Sequence, residues 1–454
     1  MRYVLVGNSA AAVGAIEGIR SLDKEGQMTV ISEEPYPAYS RPLISYYLEG
    51  RVDESRMGYR DPGFYDRHQV ELKLGVRAVR LSCSSQRVLL DNGEELEYER
   101  LLLATGSRPV LPPVKGLDKQ GVFFFNRWED VKAIRTVAGP GLRAVVLGAG
   151  LTGLKAAEAL TKLGLRVTVV EVADTILGSI LDEEGACIVR KHLEEAGVHL
   201  LTGIKVTEVY GGRSTVPADV YALKDKYRKY LNREQQVESV GLSNGFSLPA
   251  DMVVVAAGVV PNLDLVAGTD VRWNHGILVN EYLETTVSDV YAAGDVAEGL
   301  DLLSGESRVI ATLPNAYKQG ETAGKNMAGA RVPYPGGLAM NSVSFFGLPI
   351  ATAGWSNVQK EGIRIVNRAD VSRRSYRRLS ILGDRLVGFI AIGDVNRVGI
   401  LTALVRSRAS IDGYEDRLLK PDLGLIDLPE QLRQRWNLWG GGDSEWRSGY
   451  QLRI

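Results

Sequence analysis

The sequence predicts an α/β chain with two doubly wound, parallel-sheet domains followed by a smaller α+β domain. Three observations carry this. A strand–helix–strand unit opens the chain, a second begins at residue 143, and from residue 331 the texture changes to short strands and turns.

Residues 3–7 (YVLVG) read as a buried strand, 10–20 as a helix with small residues on one side, and 27–32 (QMTVIS) as the next strand. The same order recurs in 143–148 (RAVVLG), 151–163 (LTGLKAAEALTKL) and 165–171 (LRVTVVE). Between the two units, 98–118 (YERLLLATGSRPVLPPVKGLD) is an apolar strand that runs into Ala104, Thr105 and Gly106, then a proline-rich crossing. Residues 248–262 (LPADMVVVAAGVVPN) repeat that pattern through Gly258, and 286–299 (TVSDVYAAGDVAEG) form a further strand ending at Gly294 and Asp295. Residues 211–236 interrupt a strand–turn region. Val220, Leu223, Tyr227 and Leu231 fall at helical spacing behind Pro217, which predicts a helical insertion. Its cluster of Lys224, Lys226, Arg228 and Lys229 is either a solvated face or a partner-docking element. After 331 come RVPYPGGLAMNSVSFFGLPIATAG and arginine-rich strands around 373–388, and 440–454 read as a polar tail.

Composition narrows the class. A hydrophobic share of 45%, a charged share of 24% and a net charge of −1 describe a globular protein without the basic excess that nucleic acid or an anionic membrane demands. No stretch approaches the ~20 apolar residues of a membrane span. Arg2 and the apolar run to Ile16 have the outline of a short signal peptide, but Asn8 and Ser9 interrupt it. Two cysteines, Cys83 and Cys187, exclude a disulfide scaffold and fit the reducing cytoplasm. No metal site is expected.

The chemistry lies in the turns. Gly148, Gly150 and Gly153 make a full G-x-G-x-x-G between strand and helix. The first glycine permits the tight turn, the second lets backbone approach a pyrophosphate, and the third lets helix pack on strand. Glu171 ends the next strand, where a carboxylate can take both ribose hydroxyls. The opening unit keeps Gly7 but has Ser9 and Ala12 at the other two positions, both still small. Glu33, with Glu34 as the alternative, stands where its acid would be. Both sheets thus read as Rossmann-like dinucleotide-binding domains.

Taken together, GNSAAA, LLLATGSRP, GAGLTGLKAAEAL, VVVAAGVVPN, YAAGD and LPNAYKQGETAGKNMAG closely resemble the pyridine nucleotide-disulfide oxidoreductase relatives, over about residues 1–440. The resemblance implies an FAD domain (1–117 and 247–330) interrupted by an NAD domain (118–246, with the insertion 211–236). A C-terminal interface domain (331–439) and the tail (440–454) follow. It implies that Gly7, Ser9, Ala12, Glu33, Ala104, Thr105 and Gly106 serve FAD, with Asp295 on its ribityl chain and Arg41 and Pro42 against the flavin. Asn315 and Ala316 would begin a helix whose N-terminus points at the flavin pyrimidine edge, and Phe345 or Phe346 would sit near the isoalloxazine. Gly148, Gly150, Gly153, Glu171 and Gly258 would serve NAD.

Three departures from the family pattern matter. Residues 38–47 (AYSRPLISYY) lack the redox cysteine many relatives carry, so thiol relay chemistry is not expected. Cysteine-free relatives that feed iron–sulfur partners often pair a lysine at the position of Tyr46 with a glutamate at that of Lys155. Here the base has moved to Lys155, which either supplies positive charge beside the flavin or points out of its helix. Glu171 is followed by VADTIL, without an arginine for a 2′-phosphate, which predicts NADH over NADPH.

The reading implied is a flavoenzyme that moves hydride from NADH to flavin N5 and passes electrons to an iron–sulfur, ferredoxin-like protein or subunit. The chain would act as a homodimer or within a larger complex. Arg373, Arg374, Arg377, Arg378, Arg385, Arg406 and Arg408 are the expected basic docking face. An NADH oxidase and a non-catalytic flavin-binding assembly or redox-sensing subunit are the alternatives.

Overall fold

The computed structural model describes residues 1–213, 232–420, 422–428 and 433. The strongly apolar runs become strands and the small-residue runs become helices. In chain order these are β1 (Arg2–Val6), α1 (Ala10–Leu22), β2 (Gln27–Ser32), α2 (Ile44–Leu48), β3 (Val70–Leu74) and β4 (Arg100–Leu103). Then come β5 (Val122–Phe124), α3 (Trp128–Val137), β6 (Arg143–Leu147), α4 (Leu151–Lys162), β7 (Arg166–Val170), α5 (Glu183–Glu195), β8 (His199–Leu201) and β9 (Met252–Val255). The chain returns with β10 (Val290–Ala292) and α6 (Leu313–Met327).

Two five-stranded parallel sheets result, in the orders β10-β4-β1-β2-β3 and β5-β9-β6-β7-β8. Strand order reverses between β1 and β4 in the first and between β6 and β9 in the second. Such switch points open a crevice beyond the strand ends. The two repeated crossings meet each other. Ser107–Pro109 pairs antiparallel with Val259–Pro261, which joins the sheets by a two-stranded ribbon.

α1 and α6 pack with their backbones in close approach. A Cβ at Gly14 would lie 2.2 Å from the Tyr317 carbonyl oxygen, and one at Gly320 would lie 1.9 Å from that of Ala11. Glycine in a helix costs about 1 kcal/mol relative to alanine, and here it admits a contact that no side chain would allow. Ala11, Ala12, Ala15 and Ala323 fill the rest of this core.

The chain divides into two compact units, Met1–Ala339 with Phe345–Gly347, and Met340–Ser344 with Leu348–Ile454. Both parallel sheets lie in the first. The boundary thus falls nearer 340 than the expected 331. The second unit holds an antiparallel sheet in the order Met340–Phe345, Leu348–Gly354, Arg385–Ile392, Ser375–Leu382, Ile363–Asp370.

Two expectations change. Residues 211–213 and 232–236 belong not to a helix but to the strands Val206–Arg213 and Asn232–Leu242, paired Gly211 to Val237 and Arg213 to Gln235. Residues 214–231, including the basic cluster, lie outside the described residues, as does the 440–454 tail. In the C-terminal unit Arg377 and Arg378 are buried, not exposed. Arg377 donates to the carbonyls of Leu418, Lys420 and Asp394. Among the described residues no helix is long and apolar enough to cross a membrane.

Candidate functional site

The complete and the eroded turn have one geometry. Gly7 has φ +112° and Gly148 φ +107°. A Cβ at Gly7 would lie 2.0 Å from the Ala104 carbonyl oxygen, and one at Gly148 would lie 2.4 Å from that of Ala256. Each glycine therefore sits where the facing strand, β4 or β9, comes closest at the switch point. The second position, Gly150, has open space around it. At the third, a Cβ on Gly153 would meet the Gly148 carbonyl oxygen at 2.0 Å, whereas Ala12 keeps its methyl and is fully buried.

Ser9 and Gly150 are the N-cap residues of α1 and α4, and neither gives a side-chain cap. Their first-turn N–H groups are left for another acceptor, the arrangement that binds phosphate. Asn8, beside Gly7, accepts from the Tyr65 hydroxyl at 2.7 Å, while its Nδ2 is buried without a partner. Thr312, the N-cap of α6, has a buried Oγ1 without one. These orphaned polar atoms and the open cradles fit bound dinucleotides.

Around the first turn, Asp295 accepts from the Ser107 hydroxyl at 2.9 Å, and burial pushes its carboxyl up. Thr105 donates to the Asn262 carbonyl at 2.9 Å and Asn262 N–H returns a bond to Gly106, which turns the chain at φ +66°. Glu33 is paired with Arg127, at the start of α3, and Glu34 with Arg41 and the Tyr39 hydroxyl. Arg41 and Pro42 form a short 3-10 turn, Arg41–Leu43, that leads into α2. At α6 the Ala316 N–H is already bonded to the Thr312 carbonyl, so it is not a free donor. The Asn315 side chain is taken up by Ile310 and Tyr334. What the helix start offers is the backbone of its first turn.

Around the second turn, Glu171 accepts from Ala149 N–H at 2.6 Å and Ala173 N–H at 2.9 Å, so the carboxylate braces the loop from behind. Gly258, at φ +102°, has open space on its Cβ side.

Lys155 does not point out of its helix. Its side chain is 13% exposed, with Nζ 4.6 Å from the Tyr46 ring centroid and 2.5 Å from Glu158. Glu158, 3% exposed, also takes Lys162 at 2.6 Å and the Phe346 N–H at 2.9 Å. Burial pushes its carboxyl up, but the two lysines and the N–H outweigh this and hold it below the ordinary range. Phe345 is wholly buried and its carbonyl meets His192 Nε2 at 3.0 Å, so its ring has no free face to offer a flavin. Cys83 is half-buried with its thiol pushed up by burial, and Cys187 is exposed on α5.

Sequence reasoning missed Glu158 and Arg127. The three-residue spacing from Lys155 was a readable signal for Glu158. Arg127 had none, because its partner Glu33 is 94 residues away.

Comparison with known proteins gives the family. The family model described as pyridine nucleotide-disulphide oxidoreductase matches residues 1–320, and that of the rubredoxin NAD+ reductase C-terminal domain matches 340–409. The NADH-dependent phenylglyoxylate dehydrogenase subunit epsilon of Aromatoleum evansii is 30% identical over 96% of this chain and 98% of its own. An NADH oxidase of Methanocaldococcus jannaschii is 32% identical over 74% of this chain and 71% of its own. Against the longer nitrite reductase of Bacillus subtilis, 30% identical over 90% of this chain, the match spans 48% of that protein. The structure of the covalent putidaredoxin reductase–putidaredoxin complex superposes with a TM-score of 0.81 at 25% identity, over 92% of this chain and 95% of that one. The chain belongs to the pyridine nucleotide-disulphide oxidoreductase family, and it is an oxidoreductase that uses FAD and NADH.

Proposed function

We propose that the first switch point (domain 1–117 and 247–330) holds FAD, that the second (118–246) holds NADH, and that electrons leave for a small iron–sulfur protein or subunit. The observation that carries this is the doubled turn: Gly7 against Ala104 and Gly148 against Ala256, both at strand reversals. Gly7, Ser9, Ala12 and Asn8 would cradle the FAD pyrophosphate, with Glu33 at its ribose. Asp295 would meet the ribityl chain, and Arg41, Pro42 and the α6 first turn would border the ring. Gly148, Gly150 and Gly153 would take the NADH pyrophosphate, with Glu171 excluding a 2′-phosphate. Bound FAD supplies the conversion of a two-electron donor into a one-electron source. The protein's share is positioning and charge. Lys155, held at Tyr46, supplies a fixed positive charge where α4 meets α2.

The acceptor reading draws on the putidaredoxin complex and on the rubredoxin reductase match of the C-terminal unit. With Arg377 and Arg378 buried, its basic face narrows to Arg373, Arg374, Arg385, Arg406 and Arg408. The two cysteines, neither in a disulfide, fit the cytoplasm. The test is anaerobic reduction of a ferredoxin-type protein by NADH across a salt series. The rate is expected to fall as salt screens the docking charges, over ~8–10 Å at physiological strength, while flavin reduction stays level. No transfer to the iron–sulfur protein, with steady oxygen consumption in air, would replace this by the oxidase reading that the Methanocaldococcus jannaschii relative favours.

A further inference from the structure

Glu158 has no part in either nucleotide turn, yet it is a buried carboxylate that takes three donors. It is on α4, three residues after Lys155 and four before Lys162, so all three share one helix face. Its Oε2 takes Lys155 at 2.5 Å, while its Oε1 takes Lys162 at 2.6 Å and the Phe346 N–H at 2.9 Å. Lys162 is shared with Glu49, just past α2, at 3.2 Å, and the Glu49 side chain is 1% exposed. Arg51 stands 4.8 Å from the Tyr46 ring centroid and 3.7 Å from Glu49. The charged groups around Lys155 thus include Glu158 and Lys162 on its own helix, and Glu49 and Arg51 beside α2.

A lysine ammonium is a point charge on a flexible four-carbon stem, and alone it holds no position. A carboxylate fixed from three directions does hold one. Burial makes it costly to remove one partner of the pair and leaves salt little room to screen it. The cluster also links α2, which follows the Arg41–Leu43 turn of the first sheet, to α4, which follows the Gly148–Gly153 turn of the second. Lys155 at Tyr46 is where those two segments meet.

We propose that Glu158 is a positioning residue of the redox site, fixing the Lys155 ammonium against Tyr46 so that its charge acts on the reacting crevice. This rests on the assignment of FAD and NADH to the two turns. The idea differs from a purely structural ion pair in one respect: the effect of Glu158 passes through Lys155.

The experiment compares Glu158→Gln, Lys155→Met and the double variant as FAD-loaded proteins, and measures the midpoint potential of the bound flavin and its anaerobic rate of reduction by NADH. Glutamine keeps the shape and removes the charge. Each single variant is expected to slow reduction by about tenfold, the loss of one charged hydrogen bond, with kcat falling more than KM changes. Each is also expected to move the potential in the same direction. The double variant is expected to match Lys155→Met alone, because neighbours acting as a unit are not additive. Glu158→Asp, which keeps the charge but is one methylene short, is expected to slow reduction while retaining FAD, and it decides the matter if glutamine prevents folding. Wild-type rate and potential in the Glu158 variants, with Lys155→Met impaired, would overturn the proposal, as would full additivity in the double variant. An unaltered Lys155→Met would instead overturn the placement of Lys155 at the redox site, and the proposal with it.

Discussion

The Lys155 Nζ lies 4.6 Å from the centroid of the Tyr46 ring, a contact that joins the helix of one dinucleotide turn to the domain of the other. A cation over a ring face is worth about 0.5–2 kcal/mol, more when water is excluded, and here the lysine is largely covered. In the cysteine-free relatives that this chain resembles, the base often stands at the Tyr46 position and the acid at the Lys155 position. This chain keeps a positive charge at the same junction with the base on the other partner. The compensating acid has moved one helical turn along α4, to Glu158.

Substitutions at the two first glycines are expected to separate the two nucleotides. Gly7→Ala places a methyl 2.0 Å from the Ala104 carbonyl oxygen at φ +112°. The expected product is a protein that retains little FAD on purification, read from its visible absorption. Gly148→Ala strains the second turn alike but leaves the first untouched, so it is expected to purify yellow with a raised KM for NADH. Strain of about 1–3 kcal/mol corresponds to roughly 5- to 150-fold in affinity. Loss of FAD in Gly148→Ala would reverse the assignment.

Glu171 is expected to set the choice between NADH and NADPH. Its carboxylate is fixed by two backbone N–H groups and would repel a 2′-phosphate. In the wild type kcat/KM for NADH is expected to exceed that for NADPH, and Glu171→Ala to shrink the ratio by about tenfold or more. The check is steady-state kinetics with both nucleotides. Equal ratios in the two proteins would remove Glu171 from the account.

Thiols are expected to be dispensable. Cys83 packs in the core beneath the first sheet with its thiol pushed up by burial, and Cys187 is on the surface of α5. The Cys83→Ser, Cys187→Ser double variant is expected to reduce its flavin at the wild-type rate in rapid mixing. A large loss with FAD still bound would reveal a thiol step.

The buried pair also makes stability depend on pH. Glu158 is held below its ordinary value of 4.5 in the folded chain. Its contribution is therefore complete above about pH 4.5 and lost as pH falls through the lower folded value. Glu158→Gln is expected to lower stability by about 3 kcal/mol at neutral pH. Thermal melts of both proteins from pH 7 down to pH 3 are expected to converge at the acid end. A difference that stays constant across the range would show that the carboxylate charge is not the cause.

Much of the site was legible because it rests on local geometry. A positive-φ glycine at the end of a buried strand leaves a plain trace, and so Gly7 and Gly148 could be placed without a structure. The repeated crossings at 98–118 and 248–262 were visible as a repeat, though not that they pair with each other. Arg377 and Arg378 misled because arginine is mostly exposed, so both were expected on the docking face, yet both are buried. Their burial depends on cover from elsewhere, such as the segment around Leu418 that receives Arg377. The helical spacing of Val220 to Leu231 was extended to the whole of 211–236, whereas strand pairing decides its ends. Phe345 read as a flavin neighbour because its motif lies in the right order, but its ring is spent on packing.

The most direct test of the account is rapid anaerobic mixing of the purified protein with NADH while the visible flavin absorption is followed. The account predicts a yellow protein with one FAD per chain whose colour bleaches on mixing, faster with NADH than with the same concentration of NADPH. A protein that folds but takes up no FAD, or one that holds FAD and keeps its colour in excess NADH, would contradict it.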